Sequence, residues 1–108
     1  MAIKKFGSID LVAQSYQVLF TGRPGYDTTA NIHICNRNNV DARVYVAYIN
    51  SNDVFDVLPQ DHIHFNKLLV ANDTMELRGV AVEQNCSIIV MSDNDNVGAI
   101  AYGVEEEI

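Results

Sequence analysis

The sequence predicts an all-β domain, an antiparallel β-sandwich or jelly roll of about seven to eight strands. Three observations carry this expectation. Apolar and polar residues alternate over short runs, the two-residue period of a half-buried strand. Clusters of Asn, Asp, Gly and Pro separate those runs at short spacing. No long segment repeats its apolar residues with the period of a helix.

In chain order, residues 1–10 read as an N-terminal arm or a short first strand, and residues 11–108 as one sandwich domain. Residues 15–21, Ser-Tyr-Gln-Val-Leu-Phe-Thr, are rich in strand formers, and Arg23-Pro24-Gly25 then breaks the run. Ala30 to Asn36 alternates, with Ile32 and Ile34 on one face and His33 and Cys35 on the other. Asn36-Arg37-Asn38-Asn39 is a turn signal. Ala42 to Ile49 alternates again, so the two runs are expected to form a hairpin.

Val54 to Asp61 reads as a longer loop carrying Pro59, and His62-Ile63-His64-Phe65 as a strand. The apolar spacing of Leu58 to Leu69 would also suit a short helix. Thr74 to Leu77 and Gly79 to Val82 are strand-like, with Gly79 at a bulge or bend. Cys86 to Met91 and Val97 to Val104 complete the set. Asp93-Asn94-Asp95-Asn96 between them reads as a tight hairpin turn.

Size and composition set the class. A chain of 108 residues that is 48% hydrophobic can bury a core of its own, which argues against disorder. No apolar run approaches the roughly 20 residues that span a bilayer, so no membrane contact is expected. Lys4 and Lys5 precede no apolar stretch, so no signal peptide is read there and folding in a cytoplasm is expected. The sequons at Asn72 and Asn85 would then stay bare. A net charge of −7 disfavours direct binding to nucleic acid.

The residues that carry chemistry are scattered. Cys35 and Cys86 fit no metal spacing and read as two buried thiols, with a disulfide or redox pair as the alternative. His62 and His64 would share one face of a strand, where Asp61 and His33 could complete a metal site. Lys67 stands where such a site would want an acid, which favours a solvent-facing pair of histidines and no bound cofactor. The turn at Asp93 departs from a calcium loop at Val97 and at Val104. Asp53 and Asp56 could serve as an acid–base pair, but loop carboxylates are usually just solvated. No phosphate loop or nucleophile elbow is present, and no catalysis is expected. The five tyrosines are spread over several elements, with Tyr45 and Tyr48 on opposite faces of one strand.

Roughly residues 15–106 resemble small virion proteins of tailed phages. The resemblance lies in Ala30-Asn31-Ile32-His33-Ile34-Cys35-Asn36-Arg37-Asn38 leading into Ala42-Arg43-Val44-Tyr45-Val46-Ala47-Tyr48-Ile49. It continues through Leu77-Arg78-Gly79-Val80-Ala81-Val82, Cys86-Ser87-Ile88-Ile89-Val90 and the closing Ala101-Tyr102-Gly103-Val104-Glu105. The resemblance implies a non-enzymatic β-sandwich or jelly-roll module that decorates or cements a capsid, or attaches to a tail or fibre. Its partners would be the major capsid protein or other virion proteins, and its location the virion, after assembly in the host cytoplasm. A homo-oligomer is expected, with a trimer the form that three-fold lattice points would favour. Candidate interface residues are Lys4, Lys5 and Phe6 in the arm, Arg23, Tyr26 and Phe55 in or beside loops, and Tyr45 on a strand.

Overall fold

A computed structural model of the chain describes residues 3–108, so the first two residues of the expected arm lie outside the described residues. Eight strands run in order: β1 (Lys4–Asp10), β2 (Gln17–Thr21), β3 (Tyr26–Asn36), β4 (Ala42–Ile49), β5 (His62–Leu69), β6 (Thr74–Val82), β7 (Ser87–Ser92) and β8 (Val97–Glu107). Two single-turn 3-10 helices, Val54–Asp56 and Pro59–Asp61, interrupt the connection from β4 to β5. Lys4–Asp10 of the arm is thus a strand, and the alternative helix over 58–69 is limited to the one turn at Pro59.

The strands form two four-stranded antiparallel sheets, ordered β1-β8-β3-β6 and β2-β7-β4-β5. β1 pairs with β8, β2 with β7, β3 with β6 and β4 with β5. The first half of the chain therefore lies on the second as one long ribbon. Rolling that ribbon adds the pairs β3–β8 and β4–β7. This is the connectivity of a jelly roll.

Such a path corrects two expectations. β3 and β4 do not form a hairpin: one lies in each sheet, and residues 37–41 cross between them. The Asp93–Asn96 turn likewise joins the two sheets. The one pair of consecutive strands that does pair, β4–β5, has the longest connection.

Alternation supplies the core. Ile32, Ile34, Val44, Val46, Ile88, Val90 and Val97 are fully buried between the sheets. Removing one such side chain to Ala costs on the order of 2–5 kcal/mol. Phe6 stacks on Phe20 with ring centroids 5.4 Å apart, tying β1 to β2 across the sheets. A Cβ at Gly7 would sit 2.2 Å from the carbonyl oxygen of Leu19, so this close approach requires glycine.

The crossover from β3 to β4 is pinned by Asn36, which is completely buried. Its Nδ2 donates to the carbonyls of Val40 (3.0 Å) and Leu69 (3.1 Å). Its Oδ1 accepts from the backbone N–H of Asn38 at 3.0 Å. One side chain thus satisfies backbone groups in the crossover and at the end of β5. In β6, Gly79 takes a φ of +66° and forms the expected bulge, adding one residue opposite Ala30–Ile32.

Candidate interaction surface

The seven candidate interface residues separate into three groups. Lys4 and Arg23 both reach Glu105 Oε1 at 3.0 Å, and the Arg23 guanidinium lies 4.1 Å above the ring centre of Tyr26. Together they bind the start of β1 and the β2–β3 turn to the end of β8. Lys4, reinforced by Arg23, holds the Glu105 carboxyl below its ordinary value. Phe6 belongs mainly to the β1–β2 junction, and Lys5 is exposed. Tyr45 lies instead against Phe65 and Asn66 of β5, and Phe55 on the β4–β5 connection beside Gln14 and Tyr16.

The outward face of the second sheet is built in an additional layer. Ala47, Ile49 and Ile89 point away from the main core yet are buried. The β4–β5 connection folds back over them, and Val54 and Val57 pack there beside Tyr16 and Val18. Carboxylates hold the connection in shape. Asp53 accepts from the Phe55 N–H at 3.0 Å, Asp56 from the Ser51 hydroxyl at 2.6 Å, and Asp61 from the Leu58 N–H at 3.0 Å. Asp53 and Asp61 therefore cap the two single-turn helices, and Asp56 braces the loop through Ser51. With its valines facing inward, the loop turns Phe55 outward, 91% exposed.

The histidines are arranged differently from the expected pair. His62 is opposite Ala47 and His64 opposite the adjacent Val46, so β5 has an extra residue at Ile63. That bulge breaks the two-residue period and removes the shared face. Pro59 O can only accept, so His62 Nδ1 donates to it (3.0 Å), and its Nε2 shares a hydrogen bond with the Tyr16 hydroxyl (2.8 Å). Burial, and then Tyr45, push the Tyr16 hydroxyl pKa up. Among the described residues no three His, Cys, Asp or Glu side chains converge as a metal site. Cys35 is half-buried, Cys86 is buried, and both are free thiols.

Around His62 the aromatic side chains gather. Phe65 meets the rings of His62 and Tyr45 edge-on, at 5.0 and 5.1 Å between centroids. The Tyr45 hydroxyl donates to Asn66 Oδ1 at 3.1 Å. Phe65 nevertheless remains 66% exposed. It belongs to a larger pattern: six of the eleven large hydrophobic residues exposed among those described lie between positions 55 and 70. They are Phe55, Leu58, Ile63, Phe65, Leu68 and Val70. Ile63, Phe65 and Leu68 lie on the open edge strand β5, Val70 follows it, and Phe55 and Leu58 stand on the connection before it. Apolar exposure concentrated in this way is the type of surface that marks an interaction site.

Of these six, only Phe55 is among the candidate interface residues expected from the sequence. The available signal was the irregular apolar spacing from Leu58 to Val70, which puts more apolar residues on β5 than one buried face can take.

The outer face of the first sheet offers a contrast. A shallow depression of about 390 Å³ lies over Gly98, bordered by Asp10, His33, Cys35, Arg37 and Ile100. Its charged groups already have partners. Arg37 pairs with Asp10, and His33 is 3.0 Å from the Tyr102 hydroxyl and 3.8 Å from Glu76.

Comparison with protein-family models, with curated proteins and with solved structures finds no match to this chain.

Proposed function

We propose that this chain is a non-enzymatic structural subunit of a phage virion, binding the capsid exterior as a decoration or cement protein. The observation that carries the reading is the apolar rim from Phe55 to Val70, presented on a loop and an edge strand. Jelly rolls serve in capsids, lectins and cupins alike, so the fold does not choose among them. The rim favours assembly, because lasting protein contacts are built around apolar and aromatic anchors. The net charge of −7 suits an outward position, away from packaged DNA.

The test is to purify particles from cells carrying the gene, identify the chain by mass spectrometry and locate it with gold-labelled antibody. Exterior labelling that disappears with Phe55→Asp and Phe65→Asp is expected. Absence from particles would overturn the reading.

A tail- or fibre-associated module that binds a host surface ligand is the second reading. It is favoured by a shared location: the β2–β3 and β4–β5 loops both contact the β6–β7 turn. The Asn85 N–H donates to Gly22 O at 2.9 Å, and Cys86 Sγ lies 3.4 Å from Asn50 Oδ1. Glycan-array binding lost on changing residues 23–25 would support this reading over capsid binding.

A further inference from the structure

The occupant of the apolar rim can be argued from charge. Among the described residues Lys4, Arg23, Arg37 and Arg78 form ion pairs with carboxylates. The other three cations of the chain are Lys5, Arg43 and Lys67. Two of these, Arg43 and Lys67, lie toward the far end of β5 on its two faces, Lys67 opposite the core-facing Val44. Arg43 is opposite Leu68 in the β4–β5 register and its guanidinium donates to Asn66 O at 3.3 Å. At the other end of β5 stands Asp61, which has no cation partner among the described residues. The edge is therefore acidic at its start, apolar in its middle and basic at its finish.

A surface with that order is complementary to itself when reversed. Two copies placed with their β5 strands antiparallel bring Asp61 of each toward Lys67 of the other, with Ile63 and Phe65 meeting between them. A same-direction contact would put like charges together at both ends. The backbone shapes the contact further. β5 carries extra residues between Ala47 and Val46 and between Val46 and Val44, and Asn66 has a φ of +56°. Bulges of this kind spoil an edge as a template for adding strands, so the contact is made by side chains and closes at two copies.

From this geometry we propose that two copies of the chain associate about a two-fold axis across β5, with Phe65 central and Asp61 of each copy facing Lys67 of the other. The inference rests on reading the rim as an assembly surface, and it names the first neighbour on it.

Sedimentation velocity over a concentration series tests it. The wild-type chain is expected to sediment as a dimer, and Phe65→Asp, at an exposed position, as a folded monomer. Lys67→Glu and Asp61→Lys are each expected to weaken the dimer about tenfold or more, through repulsion at both ends. Mixing the two variants should restore association, because every contact in the mixed pair is again of opposite charge. Asp61 also caps Leu58, so Asp61→Asn, which keeps an acceptor oxygen, is the check if Asp61→Lys does not fold. It should weaken the dimer to a lesser degree.

A wild-type monomer at the highest concentration, a trimer, a dimer indifferent to Phe65→Asp, or no recovery on mixing folded variants would each overturn the proposal. A monomer whose binding to particles still requires Phe65 would refute the dimer and keep the assembly reading. A dimer absent from particles would do the reverse.

Discussion

β5 and β6 are neighbours in sequence, each forming the open edge of its own sheet, yet they meet solvent with opposite chemistry. On β6 the apolar Met75, Leu77 and Val80 turn inward and pack against the core, while Thr74, Glu76 and Arg78 face out. Glu76 and Arg78 pair with each other on the solvent side. On β5 the inward residue Leu69 is buried, but Ile63, Phe65 and Leu68 stay exposed. Both strands are bulged, which deters edge-to-edge pairing. Only β6 also adds the paired charges that keep neighbours away. The difference teaches that protecting a sheet edge and leaving it apolar are separable: β5 is closed to added strands but open to side chains.

The largest effect should come from breaking the joint between the two edges. Asn36→Ala removes the donor for Leu69 O and Val40 O and leaves buried polar groups unsatisfied. A loss of about 3 kcal/mol is expected, a fall in Tm of roughly 12 °C or more. Chemical denaturation and thermal melting would measure it.

Next in size is the bulge of β6. Gly79→Ala forces an alanine into left-handed backbone and should cost about 1 kcal/mol, read by the same melts. A Cβ there meets nothing within 4 Å, so a neutral result would mean that the bulge relaxes.

Acid should separate the edges. On β5, burial and then Lys67 hold His64 below its ordinary value of 6.5. The unfolded chain therefore takes up this proton first, and stability falls as pH drops from the unfolded value toward the lower folded one. On β6, Arg78 is the main cause holding the Glu76 carboxyl below 4.5. Its contribution is present above 4.5 and is lost as pH falls through the lowered folded value. His64→Gln should flatten the Tm profile in the first window only, and Glu76→Gln in the second only. A profile changed in neither window would remove this electrostatic contrast.

The smallest stability effect is expected at Phe55, whose ring is almost wholly in solvent. Phe55→Ser should change stability by no more than about 0.5 kcal/mol while weakening association through the rim. A substantial fall in Tm would show that the ring is needed for folding.

Much of the fold was legible along the chain, because burial of one sheet face forces alternation. Ile32 and Ile34 against His33 and Cys35 is the clearest case, and left-handed Asn72, Asn85 and Asn96 sit at turns that composition marks. Pairing was not legible in the same way. Asn36–Asn39 shows that the chain reverses there, but local turn chemistry does not say whether it stays in one sheet or crosses to the other. The candidate site was harder still. Phe55 could be picked out as a loop aromatic. The split of His62 from His64 depends on a bulge set by packing against β4, and the covering of Ala47, Ile49 and Ile89 depends on a loop folding back. Neither leaves a local signal, so the exposed rim emerges only once those layers are in place.

Hydrogen exchange measured at low and high protein concentration tests the contrast between the edges most directly. If the β5 rim receives a second copy, amides between residues 55 and 70 gain protection as concentration rises, while those of residues 74–82 do not. Equal change on both edges, or none on either, would contradict it.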